Sequence, residues 1–263
     1  MDAKPRLAVH KFSSCDGCQL AFLNLGVDLL KLARIVDIVH FAEAGPVAPA
    51  ATVDIAFVEG SISTPEDEER IRLVRKNSRY LVTIGACATA GGLQALRNRA
   101  VAADWIAEIY PRPEFIKALP TSTPVAAHVP VDEELWGCPV TGRQVLAAVR
   151  GRLFGVGPAI EDDKVCLECK RRQAVCVLVT RGAPCMGPVT RTGCGALCPH
   201  LRRDCYACYG PAENPNTQAL GQRLADLGLS RTAIARRFLS INNAAPVFRD
   251  AGTSWQGDGN GDA

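Results

Sequence analysis

Two rhythms of apolar and polar positions alternate along the first half of the chain. Leu7-Ala8-Val9-His10-Lys11-Phe12, Val36 to Phe41, Val53-Asp54-Ile55-Ala56-Phe57-Val58 and Tyr80-Leu81-Val82-Thr83-Ile84 are short apolar runs, the pattern of buried strands. Between them the spacing turns helical. Leu20, Leu23, Val27, Leu30 and Leu32 recur on one helical face. Ser63 or Thr64 caps a further helix that opens with Pro65 and a run of acidic residues. Pro124 to Val129 is read as a fifth strand, ahead of a helix from about Thr141 to Leu153. This order predicts an α/β domain over residues 1–157, a flavodoxin-like doubly wound parallel sheet.

The rhythm breaks at Gly155-Val156-Gly157-Pro158 and the acidic Glu161-Asp162-Asp163. From Val165 to Pro211 the chain is loop-rich and short of apolar residues, so it has to fold around something other than an apolar core. Helical spacing returns from Thr217 to Phe238 through Leu220, Leu224, Leu227 and Ile234. Residues 158–240 are therefore expected to form a second, small domain. Residues 241–263, rich in Gly, Asp and Asn near the end, are expected to be a disordered tail.

Cysteine changes the picture. The chain has twelve, enough for three sets of four. Cys15, Cys18 and Cys87 follow strand ends, and Cys138 lies in the loop Trp136-Gly137-Cys138-Pro139. Open α/β sheets build their sites beyond the carboxyl ends of the strands, so these four are expected to converge. The other eight are Cys166-x2-Cys169-x6-Cys176-x8-Cys185 and Cys194-x3-Cys198-x6-Cys205-x2-Cys208. In a chain that reads as cytoplasmic this pattern points to metal binding rather than a disulfide framework. Four thiolates are the ligand set of a [4Fe–4S] cluster, although zinc takes the same donors. Pro139 after Cys138, Pro199 after Cys198, and the glycines 182, 187, 193, 195 and 210 favour clusters, because glycine lets backbone amides approach the sulfurs. The second domain is thus expected to be a small cysteine-rich, ferredoxin-like iron–sulfur domain.

Other chemistries find less support. The formal charge of +3 counts the cysteines as neutral, and ligated clusters would turn the balance mildly negative. Lys164, Lys170, Arg171, Arg172, Arg181, Arg191, Arg202 and Arg203 share the cysteine-rich region. They read as charge compensation or a docking rim rather than a nucleic-acid surface. No run reaches the roughly 18 apolar residues that a membrane span needs, so the chain reads as cytoplasmic with no membrane contact. Gly151-x3-Gly155-x-Gly157 misses the dinucleotide spacing and no Walker lysine motif occurs, so no flavin or nucleotide of its own is expected. Arg203-Asp204-Cys205-Tyr206-Ala207-Cys208 matches half of a nickel-binding pattern, but the required Asp-Pro-Cys-x-x-Cys is missing, and nickel is rejected. His10, His40 and His128 read as structural; His200, two residues past Cys198, is the histidine closest to a candidate ligand. No residue reads as a catalytic acid, base or nucleophile.

The motifs together resemble one family. Ser14-Cys15-Asp16-Gly17-Cys18-Gln19, Val58-Glu59-Gly60-Ser61-Ile62, Gly85-Ala86-Cys87-Ala88, Gly91-Gly92, Gly137-Cys138-Pro139, and Pro184-Cys185-Met186-Gly187-Pro188-Val189-Thr190 through Cys208-Tyr209-Gly210-Pro211 are similar to the small subunit of cytoplasmic [NiFe]-hydrogenases. The likeness is greatest to the delta type of NAD(P)-linked and sulfhydrogenase complexes, and it covers about residues 5 to 240. It implies three [4Fe–4S] clusters. Cys15, Cys18, Cys87 and Cys138 would hold the proximal one, facing the nickel–iron site of a separate large subunit. Cys185, Cys205 and Cys208 look like medial ligands, and Cys166, Cys169 and Cys176 like distal ones. Cys194 and Cys198 would supply the two fourth ligands, in either order. Flavin- and NAD(P)-binding partners and additional iron–sulfur subunits are implied, with a deazaflavin, a ferredoxin or polysulfide as alternative acceptors. Glu59, in the matched motif at a strand end, reads as a proton relay or a structural carboxylate. From a different class, the cysteines would suit a zinc-stapled interaction module. The proximal cysteines differ from the related complex I subunit, whose cluster cysteines are adjacent, and no distal histidine of the membrane-bound type is present.

Overall fold

Five parallel strands, β1 (Arg6–Lys11), β2 (Asp37–Phe41), β3 (Val53–Glu59), β4 (Ser78–Ile84) and β5 (Glu133–Leu135), form the centre of the first unit of the chain in the order β2-β1-β3-β4-β5. This is the flavodoxin-type order, in which the chain reverses direction across the sheet between β1 and β3. The computed structural model describes residues 4–156 and 163–256, and the chain divides into two compact units, Met1–Pro158 and Ala159–Ala263.

In the first unit, β1 (Arg6–Lys11) leads through a cysteine loop into α1 (Gly17–Leu23) and α2 (Val27–Ile35). The single helical run expected there is broken at Gly26, whose φ of 54° lies in the left-handed region. After β2 (Asp37–Phe41) and β3 (Val53–Glu59) comes α3 (Pro65–Asn77). Thr64 caps it: its hydroxyl accepts the Asp67 amide, and Asp67 returns the bond to the Thr64 amide. Then follow β4 (Ser78–Ile84), α4 (Gly85–Ala90), α5 (Ala102–Ile109), β5 (Glu133–Leu135) and α6 (Gly142–Phe154), which Thr141 caps in the same way. The fifth strand is not where the sequence pattern put it. Val125–Ala127 is a single 3-10 turn, and β5 is the short, polar Glu133-Glu134-Leu135 instead. Pro124, with no amide hydrogen, opens that turn; Val125 and Val129 are buried by packing rather than by pairing, and Ala126 and Ala127 are exposed.

Alternation along the strands divides the core in two. Leu7, Val9, Ile55, Phe57, Val82 and Ile84 pack with Phe22, Leu32, Val145 and Val149 from α1, α2 and α6. Ala8, Ala56, Val58 and Leu81 pack with Ile71 and Val74 of α3 and Ala88 of α4. Phe22 meets Phe41 and Phe57 edge-on at centroid separations of 5.7 and 5.0 Å, tying α1 to the sheet.

The second unit contains α7 (Val165–Arg171), α8 (Val177–Thr180), α9 (Leu197–His200), α10 (Thr217–Asp226), α11 (Arg231–Phe238) and α12 (Pro246–Gln256). Among the described residues it has no strand, and its β-bridges, such as Thr190 with Pro211, are isolated. The helical run expected from Thr217 to Phe238 is two helices, divided at Gly228 with φ 88°. The expectation of a disordered tail from residue 241 is corrected by α12. Its Phe248 is fully buried and packs 5.9 Å from Phe238, and Gly252 lies against Leu239 so closely that a Cβ would stand 2.2 Å from Leu239 Cγ. Residues 257–263 of that expectation lie outside the described residues.

Candidate metal centres

The first centre is assembled at the carboxyl ends of three strands. Cys15 and Cys18 follow β1, Cys87 follows β4 within α4, and Cys138 follows β5. The four thiols lie within electrostatic reach of one another. Burial pushes the Cys87 thiol up to about 12, and the neighbouring Cys138 and Cys15 add to the rise. Cys18 and Cys138 are raised for the same reasons, burial first. Crowded, half-buried thiols hold their protons until a cation takes their place, which is how metal binding and deprotonation are linked.

Backbone and glycine make room around these sulfurs. The Ala86 amide donates to Gly137 O at 2.7 Å, pinning the Cys87 segment to the Cys138 loop. Gly85 has φ 86°, and a Cβ there would sit 2.3 Å from Cys18 Sγ. At Gly92, with φ 60°, a Cβ would be 2.6 Å from Cys87 Sγ. Both positions need glycine twice over, for the backbone angle and for the sulfur. Beneath the loop lies Glu59 at the end of β3, 2% exposed. Its two carboxylate oxygens accept the amides of Cys18 at 3.0 Å and Gln19 at 3.2 Å. Burial pushes its carboxyl above the usual range, against the pull of those two amides. The geometry is that of a carboxylate holding the Cys15–Cys18 loop in place.

The second unit brings the other eight cysteines together. Cys169 is pushed up to about 11, by burial first and then by the thiols of Cys166, Cys185, Cys176 and Cys194. Cys194 is raised by burial and by Glu168, with Cys198 nearby. Cys205, the most deeply placed, is raised by burial, Cys185 and Cys208. Its amide donates to Cys185 Sγ at 3.3 Å, and its own sulfur receives the Ala207 amide at 3.4 Å. Cys185 therefore borders both the Cys166–Cys176 segment and the Cys205–Cys208 loop. Asp204 and Arg237 pair at 2.5 Å and Asn242 donates to Ala207 O, so α11 and the turn after it brace that loop.

None of the twelve cysteines is in a disulfide. Among the described residues no three Cys, His, Asp or Glu side chains close on a single ion. A mononuclear zinc site needs its sulfurs about 2.3 Å from one centre, whereas a four-iron cluster spreads its thiolates over separate irons. Four thiolates are the donors of either group, and the glycines at 85 and 92 leave the sulfurs of Cys18 and Cys87 uncrowded. His10, His40 and His128 are occupied structurally: the first two stack at 4.7 Å, and His128 meets Thr123 Oγ1 at 2.7 Å. His200 is exposed at the end of α9. Sequence reading missed Gln94, which accepts from Cys87 Sγ at 3.0 Å, and Glu168, buried between Cys166 and Cys169. The Cys-x-Glu-Cys spacing was the available signal for Glu168.

Comparison with known proteins decides the family. The sequence profile of the NADH ubiquinone oxidoreductase 20 kDa subunit family matches residues 15–151. The chain is 34% identical to the delta subunit of sulfhydrogenase 2 from Pyrococcus furiosus, over 88% of this chain and 97% of that one. It belongs to the hydrogenase small-subunit family. An F420-non-reducing hydrogenase chain from Methanococcus voltae is 28% identical over 94% of this chain and 95% of its own. Among solved structures, a chain of an NAD+-reducing [NiFe]-hydrogenase in the H2-reduced state superposes with a TM-score of 0.56 at 29% identity, covering 59% of this chain and 94% of that one. This hydrogenase small subunit is thus part of an oxidoreductase complex, and the fold expected from its pattern is the fold of its relatives. Among the described residues no helix is long and apolar enough to cross a membrane.

Proposed function

We propose that this hydrogenase small subunit is the electron relay of a [NiFe]-hydrogenase and holds three [4Fe–4S] clusters on its twelve cysteines. The observation that carries the reading is the meeting of Cys15, Cys18, Cys87 and Cys138 at the sheet's carboxyl edge, with none of the four in a disulfide. When bound, the clusters would pass single electrons between the nickel–iron site of a large subunit and a flavin- and NAD(P)-binding partner. Cys15, Cys18, Cys87 and Cys138 hold the proximal group, and the cysteines from Cys166 to Cys208 hold the other two. Glu59 supports the first set by fixing the amides of Cys18 and Gln19, which favours the structural role for this carboxylate. Likeness to a chain of an NAD+-reducing enzyme supports NAD(P) as the acceptor. A second reading, delivery to another acceptor such as polysulfide or a ferredoxin, is favoured by the near full-length likeness to a sulfhydrogenase subunit.

The test is metal content. Anaerobically purified protein should carry about twelve iron per chain, with a brown absorbance that dithionite bleaches. About four iron would leave the second unit unfilled and end the three-cluster reading. A colourless protein holding zinc would restore the interaction-module alternative. Cys18→Ala should abolish H2-driven reduction of every acceptor, and retained activity would remove Cys18 from the relay.

A further inference from the structure

One buried carboxylate in the second unit does what Glu59 does in the first, and nothing in the relay as described accounts for it. Glu168 lies within Cys166-Leu167-Glu168-Cys169 on α7 and is 9% exposed. Its Oε1 accepts the Gly193 amide at 2.9 Å, and its Oε2 accepts the Ala196 amide at 3.0 Å. Those amides flank Cys194, whose Sγ lies 3.7 Å from the same Oε2. The loop they belong to is tightly wound, with φ of 129° at Gly193, 67° at Gly195 and 51° at Ala196. Just past the end of α7, the Arg172 guanidinium stands against that loop, so that a Cβ at Gly195 would meet its Nη2 at 3.0 Å. The helix that carries Cys166 and Cys169 thus grips the loop that carries Cys194.

We infer that Glu168 is a positioning residue for the cluster bound by Cys194, and that its charge lowers that cluster's reduction potential. This rests on the proposal that the second unit holds two [4Fe–4S] clusters. Both carboxylate oxygens face donors, so the group acts as an acceptor only. Cys194 would bind a cluster as a thiolate. Carboxylate and thiolate then face each other across a few ångströms in a partly dry setting, where charges are poorly screened. The two loop amides hold the carboxylate there against that repulsion. Adding an electron to the cluster adds negative charge beside a fixed negative charge, and is disfavoured.

The experiment uses the assembled complex, purified anaerobically, with iron counts and an EPR-monitored redox titration of wild type, Glu168→Gln, Glu168→Ala and Glu213→Gln. Wild type alone tests the cluster number, so a failure of that reading is seen before any variant is compared. Glu168→Gln should keep its iron and raise the midpoint potential of one cluster, leaving the other two where they were. Glu213→Gln removes an exposed carboxylate of the same unit and should move none of them. Glu168→Ala frees both amides, and loss of one cluster's iron with the other two signals intact supports the assignment as well. A full-iron Glu168→Gln protein with three unchanged potentials overturns it. Loss of both clusters of the unit together in Glu168→Gln also overturns it, since Glu168 would then serve the fold at large and not the Cys194 loop.

Discussion

At the scale of single residues, the sulfur sites depend on atoms that are not sulfur. Gly85 is the sharpest case, because a methyl group there meets Cys18 Sγ at 2.3 Å on a backbone with φ 86°. Gly85→Ala should therefore remove about four iron of twelve per chain. Gly155→Ala, at φ 66° with nothing within 4 Å, should cost roughly 1 kcal/mol of stability and no iron. Equal iron in the two variants would show that the close approach at Gly85 is not what keeps the site open. His10 supplies a different kind of test. Burial, then His40, then Arg70 lower it from 6.5 to about 3, so it stays neutral in the fold. The unfolded chain takes up a proton near pH 6.5 that the folded chain refuses until about pH 3. Stability should thus fall as pH drops below 6.5, with His10 contributing about 1.4 kcal/mol per pH unit. Denaturant titrations between pH 7 and 5.5 should show a shallower fall for His10→Gln, and an unchanged slope would disprove the assignment. The later eight cysteines were legible in the sequence because their spacing is local, and Cys15, Cys18 and Cys87 because they follow strand ends. Glu168 was not, because its meaning depends on Gly193 and Ala196, which only folding brings to it.

Among the elements, the long apolar strands and the capped helices were readable in advance. Thr64 with Asp67 and Thr141 with Gln144 carry their own start signals, and β1, β3 and β4 are buried on both faces. Hidden elements had the opposite character. The strand β5 has only three residues, two of them Glu, and gains its place by pairing with Val82, Thr83 and Ile84. The helix α12 has a Gly, Asp and Ser content that suggests a tail, yet Phe248 is anchored against Phe238 and α11. Truncating that anchor should reveal how much the second unit relies on it. Phe248→Ala should cost about 3–5 kcal/mol, read as a lowered denaturation midpoint of that unit. A cost below about 1 kcal/mol would mean that the helix is an ornament on a unit held by its metal alone.

For the molecule as a whole, the two units build their sites by different routes: one from distant strand ends, the other from a single cysteine-rich stretch. The resemblance puts Cys166 in the outward-facing cluster, so Cys166→Ser should lower NAD(P) reduction more than reduction of a small viologen dye. Equal loss of both activities at normal iron content would contradict that order. Distance along the chain also gives the first site a timetable. Cys138 is added 120 residues after Cys18. At about 5–20 residues per second, synthesis leaves the Cys15–Cys18 pair without its full set of partners for roughly 6–24 s. The second site waits about a third as long, because its eight cysteines emerge within 42 residues, from Cys166 to Cys208. During that interval a bare pair of thiols on a growing chain is open to oxidation and to the wrong metal. On the proposed assignment, a cluster on these four thiols is loaded only after synthesis and closure of the sheet. A cell that makes such a protein then delivers iron and sulfur to a finished fold rather than to a nascent one.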